Sequence, residues 1–139
     1  MNLNQISAEW SSTVRILVID DDESIIKMLT EMLQNEHAVK GATNAKSALE
    51  ILKQNEFDIV FVDYDMPEHD GLWFMRNAHL PRNTNALLFT GNLNKHVLFE
   101  MFKLGITGYL TKPVSIEEVQ CHLDFYSRSG KYADYAASA

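Results

Sequence analysis

Short apolar runs, separated by longer stretches with helical spacing, dominate the chain. The runs are rich in Val, Ile, Leu and aromatic residues, which is typical of strands buried on both faces of a sheet. The run over residues 37–43 is weaker than the others. The predicted strands are RILVID (15–20), HAVKGAT (37–43), FDIVFVD (57–63), NALLFT (85–90) and TGYLT (107–111).

The stretches between and after these runs carry apolar residues at the spacing of amphipathic helices. The third helix is expected to stop before Pro81. The fifth should begin with a capping box, because Glu118 follows Ser115 by three residues. The predicted helices contain residues 25–33, 45–52, 72–76, 94–104 and 115–126.

Strand and helix therefore alternate five times. This alternation predicts an α/β domain with a parallel sheet, right-handed crossovers and helices on both faces of the sheet. In an open sheet of this kind, ligands bind outside the carboxyl ends of the strands. Residues that follow the predicted strands are therefore the first candidates for function.

Length and composition fit one domain, with 139 residues, 46% hydrophobic and 22% charged. We expect a polar leader over 1–13, the domain over 14–127, and a tail or the start of a linker over 128–139. The net charge of −7 argues against nucleic-acid or membrane binding, which needs clustered basic residues. Without a signal pattern or a membrane-spanning run, a soluble cytoplasmic protein is expected. Cys121 is the only cysteine, so no internal disulfide can form, and its thiol is expected in the core.

Polar side chains of matching chemistry follow the predicted strands. Asp20 and Asp21 come at the end of the first strand, Asp63 ends the third, Thr90 ends the fourth and Lys112 follows the fifth. Three clustered acids repel one another unless one is protonated or a hard cation lies among them, and Mg²⁺ prefers such oxygen ligands. The set suits phosphoryl transfer, with Asp63 as nucleophile and with Lys112 and Thr90 binding the other phosphoryl oxygens.

The segments VIDDDES, FVDYDMPEHDG, LLFTG and GYLTKP occur in that order. They resemble the signature segments of the response-regulator receiver domain of two-component signalling, and the resemblance covers residues 14–127. It implies a flavodoxin-like, doubly wound sheet of five parallel strands in the order 2-1-3-4-5, with five helices.

The resemblance also implies the chemistry of the site. Asp63 would accept a phosphoryl group from a histidine kinase or a histidine phosphotransfer protein. Mg²⁺ would be bound directly by Asp21 and Asp63, through water by Asp20, and by the backbone carbonyl of Asp65. The domain would then be a phosphoacceptor switch that assists its own phosphorylation and dephosphorylation, and not an enzyme with an external substrate.

Thr90 and Tyr109 match the family's switch pair, in which the hydroxyl moves toward the acyl phosphate and the aromatic ring turns inward. Lys112 matches a lysine that precedes a proline, in a bond that is often cis in this family. Gly71 matches the loop that leads into the third helix. The change of state is expected at the face formed by helix four, strand five and helix five, where a downstream effector or a second copy would bind.

Three residues modify this expectation. Asp65 adds a carboxylate beside Asp63, at a position that tunes acyl-phosphate hydrolysis in the family. Gly91 is small and should leave the phosphate accessible. Asp22 is predicted to cap the first helix, because its carboxylate complements the helix dipole.

Two other functions use a similar set of residues. The Asp-x-Asp of DYDMP also occurs in haloacid-dehalogenase-like Mg²⁺-dependent phosphatases, where Asp63 would be the nucleophile. Those enzymes, however, place this motif at the first strand and usually have Thr or Val where this chain has Pro67. An FMN carrier of the flavodoxin type agrees less well with the sequence than the phosphatase does, because the acidic DDDES loop would repel the phosphate of FMN.

Overall fold

The computed structural model describes residues 13–126 and contains one sheet of five parallel strands. The order along the sheet is β2-β1-β3-β4-β5, so the chain crosses over β1 between β2 and β3. This is the doubly wound, flavodoxin-like order that the resemblance implied, and the predicted fold class is confirmed. The strands are β1 (Arg15–Ile19), β2 (Ala38–Ala42), β3 (Ile59–Val62), β4 (Asn85–Thr90) and β5 (Gly108–Thr111).

Each strand is followed by a helix, as predicted. The fifth helical segment, α5, runs over 116–126 and reaches the last described residue. None of the helices within residues 13–126 has the length and apolar character needed to span a membrane. The other helices are α1 (Glu23–Leu33), α2 (Ala45–Gln54), α3 (Gly71–Ala78) and α4 (Lys95–Lys103).

Side-chain caps explain where the helices begin. The predicted cap Asp22 accepts a hydrogen bond from the Ser24 backbone N–H at 2.9 Å. Ser115 accepts one from the Glu118 backbone N–H at 3.2 Å, which is one of the two hydrogen bonds of the predicted capping box. Such a cap typically stabilises a helix by about 1 kcal/mol. The caps of α2, α3 and α4 are Asn44, Asp70 and Asn94.

Two apolar layers cover the two faces of the sheet. One face packs against α2, α3 and α4, and the other against α1 and α5. The three central strands β1, β3 and β4 are therefore buried on both sides, which explains their continuous apolar runs, whereas the outer strands β2 and β5 are more exposed. The largest fully buried side chains include Ile16, Leu17, Phe61, Phe74, Leu87, Leu88, Phe89 and Met101.

One expectation about the core is wrong, because Cys121 is exposed. Val119 and Leu123 take the buried positions of α5. Each lies two residues from Cys121, and a helix turns by about 200° over two residues, so the thiol faces the opposite side. The predicted leader and tail lie outside the described residues, apart from residue 13, and the proposed domain boundaries stay predictions.

Candidate functional site

Backbone pairing between neighbouring strands aligns the candidate residues at one edge of the sheet. Ile19 of β1 is paired with Val62 of β3, and the Asp63 N–H donates to the Ile19 carbonyl at 2.9 Å. Asp20 and Asp63 are therefore adjacent where the two strands end. On the other side, the Lys112 N–H donates to the Thr90 carbonyl at 2.9 Å.

Three carboxylates meet at this edge, as predicted. Asp20, Asp21 and Asp63 each place one oxygen within 4.8 Å of the others. Asp20 and Asp63 are 0% and 5% exposed, whereas Asp21 faces solvent. Because desolvation and like charge both disfavour ionised carboxylates, this cluster requires compensating positive charge.

Lys112 supplies part of that charge. Its Nζ donates a hydrogen bond to Asp20 Oδ2 and lies 3.7 Å from Asp63 Oδ2. Its side chain is 19% exposed, so the ammonium group is largely removed from water. One ammonium faces three carboxylates, and the site retains an excess of negative charge at neutral pH.

The electrostatic imbalance is most evident at Asp63. Burial raises the pKa of its carboxyl to about 6, the charges of Asp20 and Asp21 add to this rise, and the charge of Lys112 opposes it. At pH 7 the group is therefore mostly ionised, but its ionisation is less favourable than that of a solvated carboxyl group. An added cation at this edge would relieve the repulsion and lower this pKa.

Gly71 at the start of α3 packs directly on the backbone of Asp63. A Cβ atom at Gly71 would lie 2.8 Å from the Asp63 carbonyl oxygen, which is too close for any residue with a side chain. The Gly71 N–H also donates to the Tyr64 carbonyl at 2.9 Å. Gly71 thus lets α3 close the loop after Asp63. The side chain of Asp65 in this loop is exposed, and a metal-ligand role for its backbone carbonyl stays a prediction.

The two residues of the predicted switch pair differ in burial, and their switching role stays a prediction. Thr90 ends β4 and is 2% exposed, and its Oγ1 accepts a long hydrogen bond from the Asn92 N–H at 3.4 Å. Tyr109 on β5 is 42% exposed, so its side chain lies outside the core. The Lys112–Pro113 peptide bond is cis, as the resemblance implied.

Sequence reasoning missed one residue at the site. Lys112 Nζ lies over the ring of Phe89, 5.3 Å from its centroid. The only signal in the sequence was the aromatic residue Phe89 directly before Thr90. An aromatic residue at this position of a buried strand indicates no more than a core residue.

Comparison with known proteins agrees with this geometry. Residues 16–124 match the family model described as the response regulator receiver domain. The two-component response regulator ARR10 of Arabidopsis thaliana is 32% identical over 110 residues, which are 77% of this chain and 20% of that protein. A probable cyclic di-GMP phosphodiesterase of Vibrio cholerae is 34% identical over 114 residues, which are 80% of this chain and 26% of that protein.

Solved structures give the same fold. The Vibrio cholerae chemotaxis protein CheY4 has a TM-score of 0.77 at 26% identity, covering 83% of this chain and 99% of its own. A receiver domain protein from Methanospirillum hungatei has a TM-score of 0.82 at 22% identity, covering 88% and 99%, which bears on the fold alone.

The described part of the chain therefore has the fold and the acidic edge of a receiver module of signal transduction. The chain belongs to the response-regulator receiver domain family of two-component signalling. It spans only about a quarter or less of the two curated relatives named above. The family match does not support the haloacid-dehalogenase-like phosphatase alternative.

Proposed function

We propose that this receiver domain accepts a phosphoryl group on Asp63 from the phosphohistidine of a histidine kinase or a phosphotransfer protein, in a reaction that requires Mg²⁺. The observation that carries the proposal is the approach of three carboxylates to within 4.8 Å beside the ammonium group of Lys112. The domain acts as a switch that assists its own phosphorylation and dephosphorylation.

Asp63 is suited to be the nucleophile. A pKa of about 6 leaves it mostly as the carboxylate at pH 7, yet burial keeps it poorly solvated and reactive. One of its oxygens attacks phosphorus, and the P–N bond of the donor breaks as the P–O bond forms. The product is an acyl phosphate on Asp63 and a free histidine side chain on the donor.

The residues at this edge fit Mg²⁺. Carboxylate oxygens are the hard ligands that this ion prefers, and oxygens bound to one Mg²⁺ at about 2.1 Å lie at most about 4.2 Å apart. The oxygens of Asp21 and Asp63 lie within 4.8 Å of each other, so small side-chain rotations would bring both onto one ion, and Asp20 in the same cluster would contribute through water. The carbonyl of Asp65 would complete the protein ligands. The ion supplies charge neutralisation and alignment of the phosphoryl group.

Lys112 and Thr90 would bind the phosphoryl oxygens. Lys112 Nζ is already 3.7 Å from Asp63 Oδ2, so a short movement away from Asp20 brings it to a phosphoryl group on Asp63. The hydrogen bond that the Thr90 hydroxyl accepts from the Asn92 N–H is long, at 3.4 Å, so little is lost when the hydroxyl moves. Its movement toward the phosphate opens space next to β4, which the ring of Tyr109 would fill by turning inward.

The effector would bind at the face formed by α4, β5 and α5. This face carries exposed aromatic side chains, and a patch of exposed apolar surface is typical of a protein–protein interaction site. A homodimer through the same face is part of this proposal. The exposed residues are Phe99, Phe102, Tyr109 and Phe125, at 61%, 44%, 42% and 63%.

Intact-mass spectrometry after incubation with acetyl phosphate and Mg²⁺ tests the proposal. The chain should gain the mass of one phosphoryl group, mapped to Asp63, and the gain should disappear in Asp63→Asn and in EDTA. Asp58→Asn is the matched control, because Asp58 directly precedes the first residue of β3, at the end of the strand away from the site. This variant should be labelled like the wild type. Labelling of Asp63→Asn at unchanged stoichiometry would contradict the assignment, and steady hydrolysis of a generic phosphomonoester would favour the phosphatase.

A further inference from the structure

The ammonium group of Lys112 has a contact that the receiver signature does not include. Besides Asp20 and Asp63, Nζ lies over the ring of Phe89 at 5.3 Å from the centroid. This is within the distance at which the negative face of an aromatic ring attracts a cation. The contact is largely shielded from water, since Phe89 is 1% exposed and the Lys112 side chain is 19% exposed.

The ring of Phe89 is buried in the core of the domain. Phe89 packs edge-on against Phe61 of β3, with centroids 6.1 Å apart and planes at 63°. Both rings belong to the apolar layer between the sheet and the helices α1 and α5. Gly91 lies beside the Lys112 side chain, since a Cβ atom built at Gly91 would be 3.9 Å from the Cβ of Lys112.

A lysine side chain has four rotatable bonds, and the ammonium group of Lys112 is shared between the carboxylates of Asp20 and Asp63. A hydrogen bond to Asp20 alone cannot serve as a permanent anchor, because under the proposed function Lys112 must also contact the phosphoryl group. An aromatic face attracts the cation while leaving its N–H groups free to donate to oxygens. A leucine at this position would fill the core without that attraction.

We propose that Phe89 is a positioning residue, whose ring holds the Lys112 ammonium group beside Asp20 and Asp63 in readiness for phosphoryl transfer. The inference rests on the proposed function of Asp63 for its consequence, although the contact itself can be measured without phosphorylation.

The first test compares Phe89→Leu with Phe61→Leu. Both remove one buried ring from the same apolar layer, but only Phe89 contacts Lys112. With acetyl phosphate and saturating Mg²⁺, Phe89→Leu should slow labelling of Asp63 by about 5- to 30-fold, the range of a shielded cation–π contact. Phe61→Leu should stay close to the wild-type rate. Equal losses in the two variants would overturn the proposal.

A double-mutant cycle separates positioning from general damage to the core. If Phe89 acts through Lys112, Phe89→Leu should have no further effect on the residual labelling rate of a Lys112→Ala variant. The same fractional loss in both backgrounds would overturn the proposal. Replacing Phe89 by fluorinated phenylalanines keeps the shape of the ring and weakens its negative face, so the rate should fall stepwise with fluorination. A flat series would again overturn it.

Nuclear magnetic resonance of the unphosphorylated protein tests the contact independently. The ε-methylene protons of Lys112 should show an upfield ring-current shift that is lost in Phe89→Leu and kept in Phe61→Leu. Absence of that shift in the wild type would overturn the contact even if Asp63 is labelled normally. A wild type that shows the shift but is never labelled would instead refute the proposed function.

Discussion

Replacing Asp63 with Asn should stabilise the metal-free domain at neutral pH. Burial and the neighbouring acids raise the pKa of this carboxyl from 3.8 to about 6. That difference corresponds to about 3 kcal/mol of destabilisation once the group is ionised. Asn has nearly the same shape and no charge. The attraction to Lys112 is already included in this pKa, and after allowance for solvent screening of the partly buried charge we expect a gain of about 2 kcal/mol in the free energy of unfolding.

The pH dependence gives this prediction its sign. Between pH 3.8 and about 6 the folded state binds the Asp63 proton more tightly than the unfolded state does. The stability of the wild type therefore falls as pH rises through this interval, and the full destabilisation is present only above about 6. The advantage of Asp63→Asn should be largest at neutral pH and should vanish toward pH 3.8.

Urea unfolding in EDTA at several pH values measures the effect, because the midpoint should rise while the slope of free energy against denaturant stays the same. Asp58→Asn is the control of opposite sign. Burial opposes ionisation of Asp58 too, but the hydrogen bonds and charge of Arg15 lower its pKa overall, so that substitution should destabilise at neutral pH. An Asp63→Asn protein no more stable than the wild type at neutral pH, or equally stabilised near pH 3.8, would refute the reasoning.

Three further substitutions test other parts of the site. Asp21→Ala should weaken Mg²⁺ binding by about tenfold or more, because mutating even a residue that contacts a metal indirectly typically lowers the affinity that much. Isothermal titration measures the affinity. Gly71→Ala should destabilise by about 2 kcal/mol, because its Cβ would lie 2.8 Å from the Asp63 carbonyl oxygen, and thermal or urea unfolding measures it. Thr90→Ala should still be labelled at Asp63, but the resonances of Tyr109 should no longer shift on phosphorylation.

The fold was predictable because burial dictates its sequence pattern. Residues 85–90 were predicted as a strand from their uninterrupted apolar character, and β4 occupies Asn85–Thr90. The same reasoning failed at Cys121, since one thiol among apolar residues does not reveal which side of a helix it occupies. That is decided by Val119 and Leu123, which fill the buried positions of α5.

The location of the site was predictable for a topological reason. Parallel strands end at one edge, so Asp20, Asp63 and Lys112 had to meet once the strands were placed. Their individual contacts were not predictable, because side-chain conformations depend on packing from several elements. Neither the hydrogen bond of Lys112 to Asp20 nor its contact with Phe89 has a signal in residue spacing.

The unfavourable charge balance at this edge gives the domain its capacity to respond. A site with three carboxylates and one ammonium gains stability from any ligand that adds positive charge, and Mg²⁺ should therefore raise the unfolding free energy in proportion to its affinity. Under the proposed function, phosphorylation adds negative charge that draws Lys112 from Asp20 and the Thr90 hydroxyl from its weak contact. Under the same proposal, an exposed Tyr109 ring is the arrangement expected before that rearrangement. The contacts that the phosphoryl group would make with Lys112 and Thr90 would drive the switch, and Asp63→Asn, which lacks both the repulsion and the acceptor, should be more stable and unresponsive.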